Sequence, residues 1–173
     1  MPATKRRVVV FDASPRNDPT SWMRKACQDA GVFLADINAI ADLLAEDPAA
    51  QKLLVARGPT GADPSLAVHY RAALDKLAAG KPKVAVHSVV WIEYGVGPLA
   101  AVLDFDNLEL ERPRAKELGV TKEAYDSLVA KARAQMEERV KGLKPECVLR
   151  LPEKASDRRK ADLAAAHIKK FLG

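Results

Sequence analysis

A strand, a loop and a helix follow one another at residues 7–27, RVVVFDASPRNDPTSWMRKAC. The four apolar residues 8–11 predict a buried strand, residues 12–19 are rich in turn formers, and a helical pattern begins at Thr20. This layout favours anion binding, because the N-terminus of a helix presents free N–H groups and the positive end of its dipole. The first question about function is therefore whether this loop binds phosphate.

Apolar runs separated by helical patterns continue to the end of the chain. The strand-like runs lie at 8–11, 32–36, the start of 83–91, 99–105 and 146–151. The helical patterns lie at 21–30, 38–57, 65–79, 106–117, 121–143 and 156–172. The Asp47-Pro48 pair is expected to kink or split the second helix. This alternation predicts a three-layer α/β/α domain of residues 1–173, built on a parallel sheet of about five strands.

Length and cysteine content narrow the class of protein. A chain of 173 residues has the size of one domain with one core. No apolar run approaches the roughly 20 residues that a membrane span needs. Cys27 and Cys147 are far apart and fit no metal-binding spacing, so both are predicted to be reduced, buried thiols. The sequence thus predicts a protein of the cytoplasm or another reducing compartment, without a metal site.

The net charge of +5 is concentrated near the C-terminus. Residues 1–132 contain 17 basic and 17 acidic side chains, whereas residues 133–173 contain 11 and 6. Such asymmetry indicates an anionic partner such as a nucleotide, RNA or an acidic protein, or else a solvated lysine-rich helix face.

A basic cluster stands at the start of the last predicted helix. Its members are Lys154, Arg158, Arg159 and Lys160. Cations at this end oppose the helix dipole. An external anion such as RNA phosphate would resolve that conflict, and so would the neighbouring Asp157 and Asp162.

The phosphate-loop pattern G-x-x-x-x-G-K-[ST] can be laid over residues 14–21. Ser21 matches its final hydroxyl residue. Ser14 and Pro19 stand where the glycines would be, and Thr20 stands where the lysine would be. The loop therefore has the spacing of a phosphate loop but lacks the two glycines and the lysine that bind phosphate.

Several residues of this loop are unfavourable for phosphate binding. Pro15 and Pro19 each remove a backbone N–H group. Asp18 adds a negative charge, and one charge pair at ~4 Å is worth about 4 kcal/mol at an effective dielectric near 20. Arg16 would compensate in part, because an arginine fork binds phosphate well.

Short landmarks follow the loop in a characteristic order. They are Gly31 followed by 36–38, His69-Tyr70, residues 89–93, the set Glu109, Arg112 and Lys116, then 119–124 and 134–136. In order and spacing the chain resembles the dephospho-CoA kinase family, P-loop kinases that add the 3′-phosphate to dephospho-CoA. The resemblance implies a P-loop kinase fold with a lid-like helical segment at about 106–143.

The resemblance also implies roles for individual residues. Asp36 matches the family's aspartate that helps to activate the 3′-hydroxyl. The residues implied to bind nucleotide phosphates are Ser14, Arg16, Thr20, Ser21, Arg112 and Lys116. ATP and Mg²⁺ are the implied cofactors, and a CoA-type molecule is the implied ligand. Five of these residues also have a structural alternative: Asp36, Thr20 and Ser21 suit helix caps, and Arg112 and Lys116 suit a solvated helix face.

Three functions are compatible with these patterns. The first is a degenerate, non-catalytic relative of dephospho-CoA kinase that serves as a binding or structural subunit of a larger assembly. Its protein or RNA partner would bind the basic C-terminal third. The alternative is an active, ATP-dependent kinase of the dephospho-CoA kinase type. The second alternative is a flavodoxin-like FMN-binding reductase, because a Ser-Pro-Arg-Asn segment after a strand is similar to the phosphate loop of flavin reductases.

Overall fold

The computed structural model describes residues 6–13, 21–57, 64–87 and 95–173. Five strands form one sheet: β1 (Arg7–Asp12), β2 (Phe33–Ala35), β3 (Lys83–His87), β4 (Ala100–Leu103) and β5 (Val148–Arg150). All four neighbouring pairs are parallel, and the order across the sheet is β2-β3-β1-β4-β5. The predicted α/β class with a five-stranded parallel sheet is confirmed.

Seven α-helices occur in the described ranges. They are α1 (Ser21–Ala30), α2 (Ile37–Ala45), α3 (Pro48–Arg57), α4 (Ala67–Leu77), α5 (Arg112–Glu117), α6 (Lys122–Val140) and α7 (Asp157–Leu172). The Asp47-Pro48 pair splits the predicted second helix, and Asp47 Oδ1 accepts hydrogen bonds from Ala49 N (2.9 Å) and Ala50 N (3.3 Å). The predicted helix 106–117 is also divided: a 3-10 turn at Asp106–Glu109 precedes α5, which begins beside Pro113.

The central strand β1 separates two hydrophobic layers. Val8 and Val10 pack with buried residues of α2, α4 and α6, whereas Val9 and Phe11 pack with α1 and α7. Alternate side chains of a strand point to opposite faces, so a continuous apolar run suits a sheet that is covered on both sides. Helix α6 contributes Met136 and Val140 to this core, and the lid-like role of the segment at about 106–143 stays a prediction.

The carboxyl ends of β1 and β4 form the place where ligands are expected in an open α/β sheet. From β1 the chain passes through α1 to β2 on one side, whereas from β4 it passes through α5 and α6 to β5 on the other. The two connections cover opposite faces of the sheet. Neighbouring strands whose connections diverge in this way make a topological switch point. Residues 12–13 and 104–107 lie there and are called the β1/β4 edge below.

The strand order bears on the flavodoxin-like alternative. Flavodoxin-like sheets have the order 2-1-3-4-5. In this protein β3 lies between β2 and β1, so the topology does not match that order.

The two cysteines are free thiols. Cys27 is buried in α1, and burial raises its pKa to about 12. Cys147 is only partly buried, which differs from the prediction that both thiols are buried. Within the described ranges, no helix has the length and apolar character needed to cross a bilayer.

Candidate functional site

The first ion pair at the β1/β4 edge joins the last residue of β1 to helix α6. Asp12 Oδ2 accepts a hydrogen bond from Arg139 Nη1 at 3.0 Å. The Asp12 side chain is fully buried, and the Arg139 side chain is 14% exposed. A buried carboxylate is costly without a partner, so Arg139 stabilises the charge of Asp12 where the chain leaves the sheet.

The second ion pair is a lysine between two carboxylates. Lys160 Nζ on α7 lies 2.9 Å from both carboxylate oxygens of Asp104 and 2.8 Å from Asp106 Oδ2. Its side chain is 6% exposed, and that of Asp104 is 2% exposed. Burial alone would lower the pKa of Lys160, but hydrogen bonds to Asp106 and Asp104 outweigh it and raise the pKa above its ordinary value.

Backbone contacts complete this arrangement. The Asp106 carboxylate accepts from Lys154 N at 2.8 and 3.0 Å, and Asp104 Oδ1 accepts from Asp106 N at 3.1 Å. Lys154 has a φ of +60°, a left-handed conformation that costs energy for a side chain other than glycine. Asn107 Nδ2 donates to Ala13 O at 2.7 Å and so ties β1 to the segment after β4.

The charges of this edge are matched from within the protein. Its described carboxylates are Asp12, Asp104 and Asp106, and the cations that pair with them are Arg139 and Lys160. Among the described residues, each of these carboxylates thus has a cation partner supplied by the protein itself. In the described ranges, no group of three or more His, Cys, Asp or Glu side chains is arranged to hold a metal ion.

Most of the predicted phosphate loop cannot be compared with the structure. Ser14, Arg16 and Thr20 lie outside the described residues. Ser21 is the first residue of α1, and its backbone alone is described. The loop prediction therefore stays a prediction.

Asp36 is the N-cap of α2. Its Oδ1 accepts a hydrogen bond from Ala39 N at 2.9 Å, and its backbone is extended. It follows β2, an outer strand that β3 separates from β1. The observed contact is that of the capping alternative, and the catalytic role stays a prediction.

We expect Asp36→Ala to lower the free energy of unfolding by about 1 kcal/mol, because one N–H group at the start of α2 loses its acceptor. Asp36→Asn should lower the free energy of unfolding by only a few tenths of a kcal/mol, since asparagine caps a helix almost as well as aspartate. Urea unfolding of both variants measures the difference. Equal losses in the two variants would show that the carboxylate does something other than capping.

Arg112 and Lys116 lie one turn apart on α5, as their spacing predicts. Both line a cavity of ≈ 550 Å³ between α5 and α6, together with Ala115, Val120, Thr121, Lys122, Tyr125 and Asp126. The two predicted cations are thus brought together, but no described residue lining the cavity belongs to the β1/β4 edge. Their implied role in binding nucleotide phosphates stays a prediction.

Arg112 is held by neighbouring acids. Its guanidinium binds Glu109 Oε1 at 3.1 Å and Asp126 Oδ1 at 2.8 Å, and it lies over the Tyr125 ring at 4.5 Å. The hydrogen bond with Glu109, followed by that with Asp126, raises the pKa of Arg112 above its ordinary value. Lys116 is exposed and makes no ion pair with a described residue.

The structure divides the basic cluster at the start of α7. Lys154, Arg158 and Arg159 are exposed, whereas Lys160 is buried between Asp104 and Asp106. Lys160 is therefore not part of an exposed partner-binding surface. For this lysine, the conflict with the helix dipole is relieved by carboxylates that follow β4.

Sequence reasoning missed the acids of the β1/β4 edge. Asp12 and Asp104 directly follow apolar strand runs, and this position is a usable signal because carboxyl ends of parallel strands meet at one edge. Arg139 carries no comparable signal, since it lies 127 residues from Asp12 in the chain.

No protein-family model matches this sequence, and a comparison with curated proteins finds no significant match.

Proposed function

We propose that this protein is a non-catalytic relative of the P-loop kinases that binds a partner and does not transfer phosphate. The observation that carries the proposal is the internal pairing of the cations at the β1/β4 edge. Arg139 is held by Asp12, and Lys160 is held by Asp104 and Asp106.

Phosphoryl transfer needs the opposite arrangement of charge. Its catalysis depends on cations and N–H groups that are directed at phosphate oxygens and neutralise developing charge. At the β1/β4 edge, Arg139 and Lys160 are instead bound to carboxylates of the protein, and one missing cation–phosphate contact at about 4 Å is worth about 4 kcal/mol at an effective dielectric near 20. Such a loss lowers affinity roughly a thousandfold. The sequence of the loop at 14–20 also argues against phosphoryl transfer, because it lacks the glycines and the lysine of the phosphate-loop pattern.

The binding role is assigned to the exposed cations at the start of α7. Lys154, Arg158 and Arg159 remain open to solvent after Lys160 is withdrawn into the core. Together with the basic balance of residues 133–173, they suit an acidic surface of another subunit or an RNA backbone.

The test is an assay for 3′-phosphorylation of dephospho-CoA, run beside an active dephospho-CoA kinase and paired with calorimetric titration of Mg-ATP. We expect no transfer and no binding heat at millimolar nucleotide. Transfer at ordinary enzyme rates would refute the proposal, and loss of that activity in Asp36→Asn would support the active-kinase alternative. A colourless protein that does not bind added FMN would remove the flavin alternative.

A further inference from the structure

The cavity between α5 and α6 has the size and lining of a small-molecule site. Its volume of ≈ 550 Å³ falls within the range of about 300–1,000 Å³ that is typical of ligand pockets. Ala115, Val120 and the ring of Tyr125 supply apolar surface. The ring is held in place, because Tyr125 Oη donates to Leu108 O at 2.8 Å and the Arg112 guanidinium covers its face. The apolar part of the cavity is therefore preformed.

Of the cations that line the cavity, one has no ion-pair partner in the part of the chain that the structure describes. Three cations line it, but Arg112 is bound by Glu109 and Asp126, and Lys122 Nζ lies 3.1 Å from Asp126 Oδ2. Lys116 makes no ion pair with a described residue and is exposed at the same cavity. The cavity is thus matched to roughly one added negative charge.

The N-terminus of helix α6 adds partial positive charge at the cavity, because the helix begins there. Thr121 is its N-cap and accepts from Ala124 N at 3.2 Å, and Thr121 and Lys122 both line the cavity. The N-terminal end of this 19-residue helix carries partial positive charge. Glu123 stands in its first turn but does not line the cavity.

We propose that the α5/α6 cavity binds a small organic acid, a single carboxylate on an apolar body. The carboxylate contacts Lys116 near the start of α6, and the apolar body packs against Val120 and Tyr125. One cation without an ion-pair partner among the described residues suits a monoanion better than a phosphate dianion, and Ala115, Val120 and Tyr125 favour a ligand with an apolar body. The proposal is independent of whether the protein transfers phosphate.

The first experiment is a calorimetric titration of the full chain with hexanoate, octanoate and decanoate. Burial of each further methylene should raise the affinity about fourfold until the cavity is filled. Octylamine, which has the same body and the opposite charge, should not bind. An affinity that does not depend on chain length, or equal binding of octylamine, would overturn the proposal. Octyl phosphate that binds tenfold more tightly than octanoate would overturn the assignment of a carboxylate.

The second experiment locates the site with matched variants. Lys116→Met should weaken octanoate binding about fivefold. Arg114→Met changes an exposed cation of the same helix that does not line the cavity, and it should leave the affinity unchanged. Chemical-shift changes on octanoate addition should centre on the amides of Val120 and Tyr125. Equal effects of the two variants, or shifts centred elsewhere, would refute the site.

Discussion

Replacing Lys160 with methionine should lower the free energy of unfolding by about 3–5 kcal/mol. The substitution preserves most of the side-chain volume but leaves the Asp104 carboxylate buried without its cation. Desolvation of an unpaired charge is among the largest penalties that one substitution can cause. Urea unfolding followed by circular dichroism measures the loss.

A neighbouring residue on α7 supplies the control. Arg159→Met also removes a cation near the start of the helix, but Arg159 is exposed, so its change should lie within about 0.5 kcal/mol. A loss below about 1 kcal/mol for Lys160→Met would show that the ion pair contributes little. The double variant Lys160→Met with Asp104→Leu should recover part of the stability, because it removes the stranded charge.

The effect of Lys160 should also depend on pH. Its pKa is raised in the folded protein by hydrogen bonds that outweigh the opposing effect of burial. A group of this kind contributes its full stabilisation below its unfolded pKa of about 10.4 and loses it as the pH rises through the folded value. The stability difference between the wild type and Lys160→Met should therefore be constant near neutral pH and narrow in strongly alkaline solution.

Replacing Arg139 with methionine is expected to have an effect of similar size, about 3 kcal/mol or more. Asp12 is fully buried at the end of the central strand, and the change removes the cation 3.0 Å from its carboxylate. Urea unfolding again provides the measurement. The melting temperature should fall by roughly 6–12 °C, since a domain of this size loses about 2–4 °C per kcal/mol.

Arg150 is a matched control for Arg139. Its guanidinium also pairs with a carboxylate, Glu137, but the two side chains are 48% and 39% exposed. Exposed pairs contribute about 0–1 kcal/mol, so Arg150→Met should cost far less. If both arginine variants lost the same stability, burial would not be the source of the effect.

The stability of the Arg139 and Lys160 variants also bears on whether these cations bind phosphate. If the main role of Arg139 and Lys160 were to bind phosphate, replacing them would weaken ligand binding more than it destabilises the fold. The internal pairing predicts the reverse, with a large loss of stability in each variant. Thermal unfolding with and without Mg-ATP distinguishes a phosphate-binding role from a role in folding, because a bound ligand raises the stability of the folded state.

The sequence by itself determined the elements whose signals are local. The apolar run at 8–11 is a buried strand, and Asp47-Pro48 divides a helix. Gly31 follows α1 with a φ of +66°, as its place after a helix suggests. Each of these features depends on dihedral preferences or hydrogen bonds within a few residues, so neighbouring residue types are sufficient to predict it.

Only the tertiary structure decided which distant residues meet. The order of the strands depends on how two hydrophobic faces are covered, and no short segment specifies it. The partners in the two buried ion pairs are 127 residues apart for Asp12 and Arg139, and 56 apart for Asp104 and Lys160. Local propensity does not select partners at such separations. They are brought together by burial of apolar surface over the whole sheet, which also makes their pairing necessary, because a buried charge requires a partner.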